Sequence, residues 1–395
     1  MRGKVGDRLR MFRLSRAMSL DELAAATSGR VTKQAISKYE RGLMSPSPLV
    51  LKSLARVFGV KASELLASPS VNVEVLTYRR TSRLAKKEQN RVENLVSRML
   101  EQRVVLQEAA GQTNGNSIPL AEYSPKSLED CEEIACDVRS RWSLGADPIA
   151  CVTDVLEERH IHVMVIDTEA SFDGLAAVAR DDSKSIKAVG VVSRKGVDGD
   201  RQRLNLSHEL GHLVMTKTKH VDEEKAAFRF GAAFLAPADL VRKDVGAKRR
   251  KITLGELGLL KKKYGMSIQA LIYRITDLDI ISNHQASLLW KQINARGWKK
   301  KEPWALEAED PQWSKRAALR AVAEGALTLE KAQEIMGVRF EEPVRDEPTA
   351  RRDFLKLPPA ERSRLLTIEA QRARNHYLED DEWVSLLGGD LLPDE

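Results

Sequence analysis

The sequence contains little cysteine, few aromatic residues and no long apolar run. Its 395 residues include three cysteines, Cys131, Cys136 and Cys151, and only 5% are aromatic. These cysteines form neither an even set nor a CxxC pair, so we expect reduced thiols and a cytoplasmic protein. No apolar stretch approaches the roughly 18–20 residues of a membrane-spanning helix, and the amino terminus lacks the apolar core of a secretory signal. We therefore expect no membrane partner.

Charge is abundant, and its positive excess is concentrated at one end. The formal net charge is +7 over the whole chain. Residues 1–66 contain thirteen Lys or Arg and five Asp or Glu, an excess of +8, which leaves −1 for the rest. A compact basic region joined to a nearly neutral body is typical of nucleic-acid-binding proteins. The length allows two or three domains.

Residues 1–68 are predicted to form an all-helical domain of five short helices. Ser19 and Glu22 have the spacing of a capping box, which opens the second helix. Thr32 can cap a third helix, and Gly42 and Gly59 are suited to end the third and fourth.

Three stretches of this region resemble the Xre-type (lambda-repressor-like) helix-turn-helix across residues 6–66. They are LDELA at 20–24, AISKYERG at 35–42 and LARVFGV at 54–60. The resemblance implies that the third helix enters the major groove of double-stranded DNA, with its amino-terminal residues at the base edges. Gln34 is suited to adenine and the lysines to phosphates. The DNA-facing residues are then Thr32, Lys33, Gln34, Ser37 and Lys38.

Two alternatives remain open for this domain. Domains of this type sometimes bind protein instead of DNA. They also commonly act as dimers on paired half-sites, so a homodimer is a possible assembly.

Residues 69–125 are predicted to connect this domain to the next. They contain a strand-like alternation at 71–75, a long charged helix at 83–110 and a polar loop at 111–117. Arg79, Arg80 and Arg83 are expected to form a solvated face rather than a DNA contact.

The run His208-Glu209-Leu210-Gly211-His212 lies within an apolar-periodic stretch at 204–215. On a helix, residues four apart lie on one face with Cβ atoms roughly 5–6 Å apart, which suits two imidazoles on one tetrahedral metal. Glu209 would then lie beside the metal, placed to take a proton from a bound water. The alternative is a helix whose two histidines are four apart by chance.

The residues around this run predict a mixed fold. Helices at 128–142 and 150–159 precede strands near 161–166, 172–178 and 187–192, and a basic loop at 195–203 leads to the motif helix. This layout is typical of small metallopeptidases, in which a sheet edge beside the helix holds an extended peptide.

Three further stretches resemble the ImmA/IrrE metallopeptidase family over residues 127 to about 340. They are FDGL at 172–175, LSHELGHLVM at 206–215 and EKAAFRFGAAFLAP at 224–237. The resemblance implies a catalytic zinc with His208 and His212 as ligands and Glu209 as general base. The third ligand is implied to be Glu224, with Glu223 as the alternative.

The chain departs from the family pattern at two positions. Many relatives have a glutamate where this chain has Ala226, which leaves the register of the third ligand open. Relatives often carry a histidine where this chain has Thr216, and His220 is the nearest substitute.

The metallopeptidase-like domain is predicted to span residues 126–285. A carboxy-terminal helical segment follows at 286–342, and a linker with an acidic tail occupies 343–395. Residues 379–395 have seven Asp or Glu and no Lys or Arg. Short stretches at 357–362 and 382–390 resemble the partner-binding tails of small bacterial antitoxins. A disordered acidic tail is the alternative.

The predicted fold class is α+β and mostly helical: a five-helix Xre-type DNA-binding domain, a small zincin-like domain of helices with a short sheet, and carboxy-terminal helices. The predicted function is a DNA-binding transcriptional regulator whose zinc-dependent endopeptidase cleaves a regulatory protein such as a repressor. The alternative is a non-catalytic repressor or antitoxin that binds DNA and a protein partner such as a toxin.

Overall fold

A computed structural model describes residues 2–67, 71–78, 85–111, 120–169, 172, 174–340, 354–367 and 370. The chain divides into two compact units, Met1–Met336 and Gly337–Glu395. The first unit is α+β and mostly helical, as predicted. In the second unit, residues 359–367 are helical.

Five short helices form the amino-terminal domain, and local capping sets their ends. Both hydrogen bonds of the Ser19–Glu22 capping box form, and the Thr32 side chain accepts from the amide of Ala35. Gly59 ends the fourth helix with φ 63°, a left-handed conformation that glycine adopts without strain. The helices are α1 Arg2–Leu14, α2 Leu20–Ala26, α3 Lys33–Glu40, α4 Pro48–Phe58 and α5 Ala62–Leu66.

The sheet of the first unit has four strands in the order β1-β3-β4-β2. Strand β3 is antiparallel to β1 and β4, and β2 is parallel to β4. Tyr78 lies opposite Leu175 at the end of the β1–β3 ladder. The strands are β1 Asn72–Tyr78, β2 Ile161–Ile166, β3 Gly174–Arg180 and β4 Ile186–Arg194.

Helices pack on both faces of the sheet, because alternate strand residues point to opposite faces and both sets are apolar. Helix α6, Lys86–Ala109, packs Val92, Val96 and Leu100 onto one face. Helix α9, Gly199–Val214, packs Leu206 and Leu210 onto the other. Strand β1 and helix α6, expected as a connector, thus belong to the layers that surround the motif helix.

The remaining helices pack around α9 and the sheet. Most lie where apolar periodicity predicts them, but α11 is an addition. They are α7 Leu128–Arg141, α8 Val152–Glu158, α10 Glu223–Leu235, α11 Ala238–Val245, α12 Leu254–Tyr264, α13 Ile268–Asp277, α14 Asn283–Ala295, α15 Trp313–Ala323 and α16 Leu329–Met336.

Helix α9 begins at Gly199, inside the stretch predicted to be a loop. The Gly199 amide donates to the carbonyl of Leu306 (2.8 Å). The Gln202 side chain donates to the carbonyl of Glu309 (2.8 Å) and accepts from its amide (2.6 Å). These contacts cross about a hundred residues of chain, so they extend the helix in a way that local periodicity does not predict.

The amino-terminal domain packs against helix α6. Arg8 of α1 and Glu101 of α6 form an ion pair whose side chains are only 10% and 12% exposed. The Arg98 guanidinium lies 5.5 Å from the centre of the Phe12 ring. Lys61 also pairs with Glu334 (2.7 Å). A buried charge is costly without its partner, so the Arg8–Glu101 pair holds α1 in a defined place on α6.

Several predictions concern residues outside the described ranges. These are the Arg79, Arg80 and Arg83 face, residues 112–117 of the polar loop and the acidic tail at 379–395. No helix among the described residues has the length and apolar character needed to cross a membrane.

Candidate metal centre and candidate nucleic-acid interface

Helices α9 and α10 approach closely because two glycines lie between them. A Cβ at Gly211 would lie 3.1 Å from the Phe230 ring and 3.2 Å from the Cα of Ala227. A Cβ at Gly231 would lie 3.0 Å from the backbone nitrogen of His208. All three distances are shorter than most Cβ contacts. The small residues therefore bring the first turn of α10 alongside the histidines of α9.

Three side chains converge at this point. The Nε2 atoms of His208 and His212 are 3.0 Å apart. The two carboxylate oxygens of Glu224 each lie 3.5 Å from one of these nitrogens. Four ligands at about 2.0–2.1 Å in a tetrahedron are separated from one another by roughly 3.3 Å. The three donors, all within 4.8 Å of one another, therefore have the chemistry and spacing of a zinc site.

Glu223 lies on the opposite side of the His212 ring. Its Oε1 is 3.7 Å from Nδ1 of His212, and its Oε2 is 2.9 Å from the Lys217 ammonium. The structure thus brings Glu224, and not Glu223, to the pair of Nε2 atoms.

The centre is buried on one side and open on the other. His208 is fully buried and its ring contacts the Phe228 ring at a tilt, with centroids 4.3 Å apart. The Glu224 side chain is 48% exposed. Hydrogen bonds from His208, which has the larger effect, and from His212 hold the pKa of the Glu224 carboxyl well below its usual value. This carboxylate is therefore anionic at neutral pH, as a metal ligand must be.

Glu209 points to the start of strand β3 and is 1% exposed. A Cβ at Gly174 would overlap the Glu209 carboxylate and lie 3.0 Å from its Cδ and 3.1 Å from its Cγ. Gly174 is part of the FDGL stretch, in which Phe172 is buried and Asp173 lies outside the described residues. The sequence contains this glycine, but only the structure reveals that it makes room for Glu209.

We expect Gly174→Ala to displace the Glu209 side chain while the three converging side chains stay in place. Any peptide hydrolysis that uses Glu209 as the base should fall by about tenfold or more, because a misplacement of about 1 Å is enough to cost a large part of a rate. Any bound metal should remain. The measurement is hydrolysis of a quenched fluorescent peptide together with elemental analysis.

Gly255→Ala is the matched control for this substitution. A Cβ at Gly255 would meet only the Thr253 hydroxyl, at 3.8 Å, so the change should be neutral. An active Gly174→Ala protein with normal zinc would show that the position of Glu209 is unimportant.

The positions where the chain departs from the family pattern do not join the centre. Ala226 is buried between the helices. Thr216 shares a hydrogen bond with Ser124 (2.6 Å) and donates to the carbonyl of Tyr123 (3.1 Å). His220 is exposed and is not part of the converging group.

Helix α3 is held firmly by α1. The Arg13 guanidinium donates two hydrogen bonds to the Glu40 carboxylate, at 2.6 and 2.7 Å. A Cβ at Gly6 would lie 2.8 Å from the carbonyl oxygen of Glu40, so the helices meet backbone to backbone. Ile36 and Tyr39 are buried beneath α3. This packing fixes the orientation of its outer face.

The outer face of α3 carries the predicted DNA-facing residues. Thr32, Lys33, Gln34 and Lys38 are exposed, and Ser37 is half-buried. Lys33 pairs with Asp21 at 2.7 Å, with both side chains at least half exposed. Such a surface pair is weak and screened, so it does not prevent Lys33 from meeting a phosphate.

Two family models match the chain. A model described as helix-turn-helix matches residues 9–65, and a model described as IrrE N-terminal-like domain, a metallopeptidase-like family, matches residues 175–276. The first match covers the domain that contains α3, and the second covers β3, α9 and α10. No curated protein matches the chain.

Proposed function

We propose that this chain, which joins an Xre-type helix-turn-helix domain to an ImmA/IrrE metallopeptidase-family domain, is a cytoplasmic DNA-binding regulator whose zinc-dependent endopeptidase cleaves a regulatory protein such as a repressor. One observation carries the proposal: His208, His212 and Glu224 bring ligand atoms within 4.8 Å of one another. Glu209 lies beside His208 on the same helix.

In this proposal His208, His212 and Glu224 hold the metal and leave one position open. Zinc bound there would supply a Lewis acid that makes a bound water more acidic. The half-exposed Glu224 lies at the open side, where water and substrate can enter. Phe228 lies against the His208 ring and limits its orientation.

Glu209 is proposed to receive the proton of the attacking water and later to pass it to the leaving amine. The carboxylate is buried and confined by Gly174, which limits it to few positions. A base with a fixed position suits proton transfer, because the donor and acceptor must lie within hydrogen-bond reach.

The DNA-binding half rests on the match to the helix-turn-helix model and on the exposed face of α3. We propose that Thr32, Lys33, Gln34, Ser37 and Lys38 contact double-stranded DNA. In a homodimer, two copies of α3 would lie on half-sites about 34 Å apart. The packing of α1 on α6 would hold the amino-terminal domain, and the operator bound to it, in a fixed position relative to the sheet that supports α9.

Metal content tests the proposal directly. We expect about one equivalent of zinc in the purified protein and little in His208→Ala, because catalytic zinc needs three protein ligands. His284→Ala, at an exposed histidine of α14, is the control and should keep its zinc. A wild-type protein that binds less than about half an equivalent in zinc-containing buffer would contradict the enzyme proposal.

A further inference from the structure

A cleft of about 830 Å³ lies beside the metal centre. The first turns of α9, the outer face of α10, helix α13 and the segment 298–302 form its walls. Asn205 lies three residues before His208, and Lys225 follows Glu224 directly. Phe228 contributes to the cleft and also contacts the His208 ring. The cleft therefore adjoins the metal centre through Phe228, although none of the three converging side chains lines it.

A metallopeptidase is expected to hold an extended peptide at the sheet edge beside the motif helix. In this structure another strand of the chain occupies that position. Strand β1 pairs with β3 along its whole length, so β3 has a neighbour on each side. A substrate chain cannot add to β3 while β1 is in place. Among the described residues, the cleft is a concave surface near the metal centre with room for a peptide segment.

Aromatic side chains line the cleft and are unusually exposed for their size. Tyr273 is 63% exposed and Phe228 is 37% exposed. Trp298 and the small residues Ala232 and Ala270 complete the apolar part of the lining. An exposed apolar patch of this kind within a concave surface is typical of a binding site.

The acidic groups of the cleft are almost all neutralised within the protein. Asp200 and Glu302 both pair with the buried Lys261. Asp277 pairs with Arg229 (3.1 Å). Asp198 is the remaining carboxylate of the lining.

The lysines at the rim of the cleft differ from these acidic groups in their ion pairing. Lys225, Lys299 and Lys300 are exposed, and across the described parts of the chain no ion pair of their side chains is found. The rim therefore has an excess of positive charge.

The wall that carries two of these lysines is firmly attached. Glu302 accepts from the amides of Ile268 (2.8 Å) and Gln269 (3.1 Å) at the start of α13, and from Lys261 (3.0 Å). These bonds fix the end of the segment 298–302. Lys299 and Lys300 are thus presented at a defined side of the cleft.

We propose that this cleft binds the substrate chain on one side of the scissile bond and selects a segment in which acidic residues flank an apolar or aromatic one. This inference rests on the proposed peptidase function. The apolar side chain lies among Phe228, Tyr273 and Trp298, and the carboxylates meet the three lysines. Charge complementarity of this kind contributes to selectivity and to the rate of association.

The test measures binding rather than cleavage. Two fluorescein-labelled decapeptides of the same design are added to the full chain carrying Glu209→Gln, which prevents turnover. One peptide has four glutamates around a leucine and a phenylalanine, and the other has four lysines in the same places. Fluorescence anisotropy should give at least about tenfold tighter binding of the acidic peptide at low salt, with the difference falling as salt rises.

Lys299→Glu/Lys300→Glu should weaken binding of the acidic peptide by at least about tenfold. Lys248→Glu/Lys251→Glu makes the same change of charge at exposed residues outside the cleft and should have little effect. Equal binding of the two peptides, or equal behaviour of the two double variants, would overturn the inference. Zinc content and hydrolysis report separately on the proposed function, so a failure of the proposed function can be distinguished from a failure of this inference.

Discussion

Replacing Glu209 by glutamine is expected to lower peptide hydrolysis by about 10²- to 10⁴-fold and to leave bound zinc unchanged. Glutamine has the size of glutamate, so the crowded contact with Gly174 tolerates it. It cannot accept the proton of the attacking water. Because His208, His212 and Glu224 remain, the variant separates metal binding from catalysis.

The substrate can be found with the same variant. Peptides with new amino termini should be present in cells that express the unmodified protein and absent from cells that express Glu209→Gln, as measured by mass spectrometry. Glu133→Gln, at an exposed glutamate of α7, is the matched control and should behave as the unmodified protein. If the Glu209→Gln variant represses normally and no uncut protein accumulates, proteolysis is not the function. The non-catalytic repressor or antitoxin then becomes the better explanation.

Local sequence patterns predict much of the fold, because short-range chemistry sets most helix ends. The Ser19–Glu22 capping box, Thr32 at the start of α3 and Gly59 after α4 all lie where the sequence predicts them. Each involves atoms within a few residues of one another. The 3.6-residue periodicity and these caps together predict the α+β, mostly helical fold class.

Contacts between distant residues account for what the sequence does not predict. Helix α9 begins early because Leu306 and Glu309 bind its first turn. Strand β1 joins the sheet through its ladder with β3, about a hundred residues later in the chain. No local pattern in either partner reports such pairing.

Part of the candidate metal centre can be predicted from the sequence, and the rest requires the packed structure. The sequence alone predicts that His208 and His212 are neighbours, since residues four apart on a helix share a face. The choice between Glu223 and Glu224 depends on how α10 approaches α9, which Gly211 and Gly231 determine. The confinement of Glu209 depends on a glycine in a separate strand. These relations require the packed structure.

Substitutions on helix α3 are expected to have a large effect on DNA binding. Gln34→Ala should cost about 1–3 kcal/mol at the preferred site, roughly 5- to 150-fold in affinity, and relax the preference at one base pair. Lys38→Ala should weaken binding to all sequences and reduce the slope of log K against log salt by about one. The orientation of α3 on α1 does not depend on either side chain, because Arg13, Glu40 and Ile36 hold the helix.

Gln34→Ala thus changes the base preference and Lys38→Ala changes the salt dependence. Preferred sites are selected from random DNA, and affinity for them is then measured at several salt concentrations to separate the two effects. Lys248→Ala, at an exposed lysine outside α3, is the control for loss of one charge. If specific binding by the Gln34→Ala/Lys38→Ala protein is undiminished, α3 does not read the major groove, and the domain binds a protein partner or contacts DNA through another surface. If the base preference relaxes and the salt slope falls together, both expected kinds of contact are present on one helix, and the operator recovered in the selection indicates where a substrate repressor would be bound.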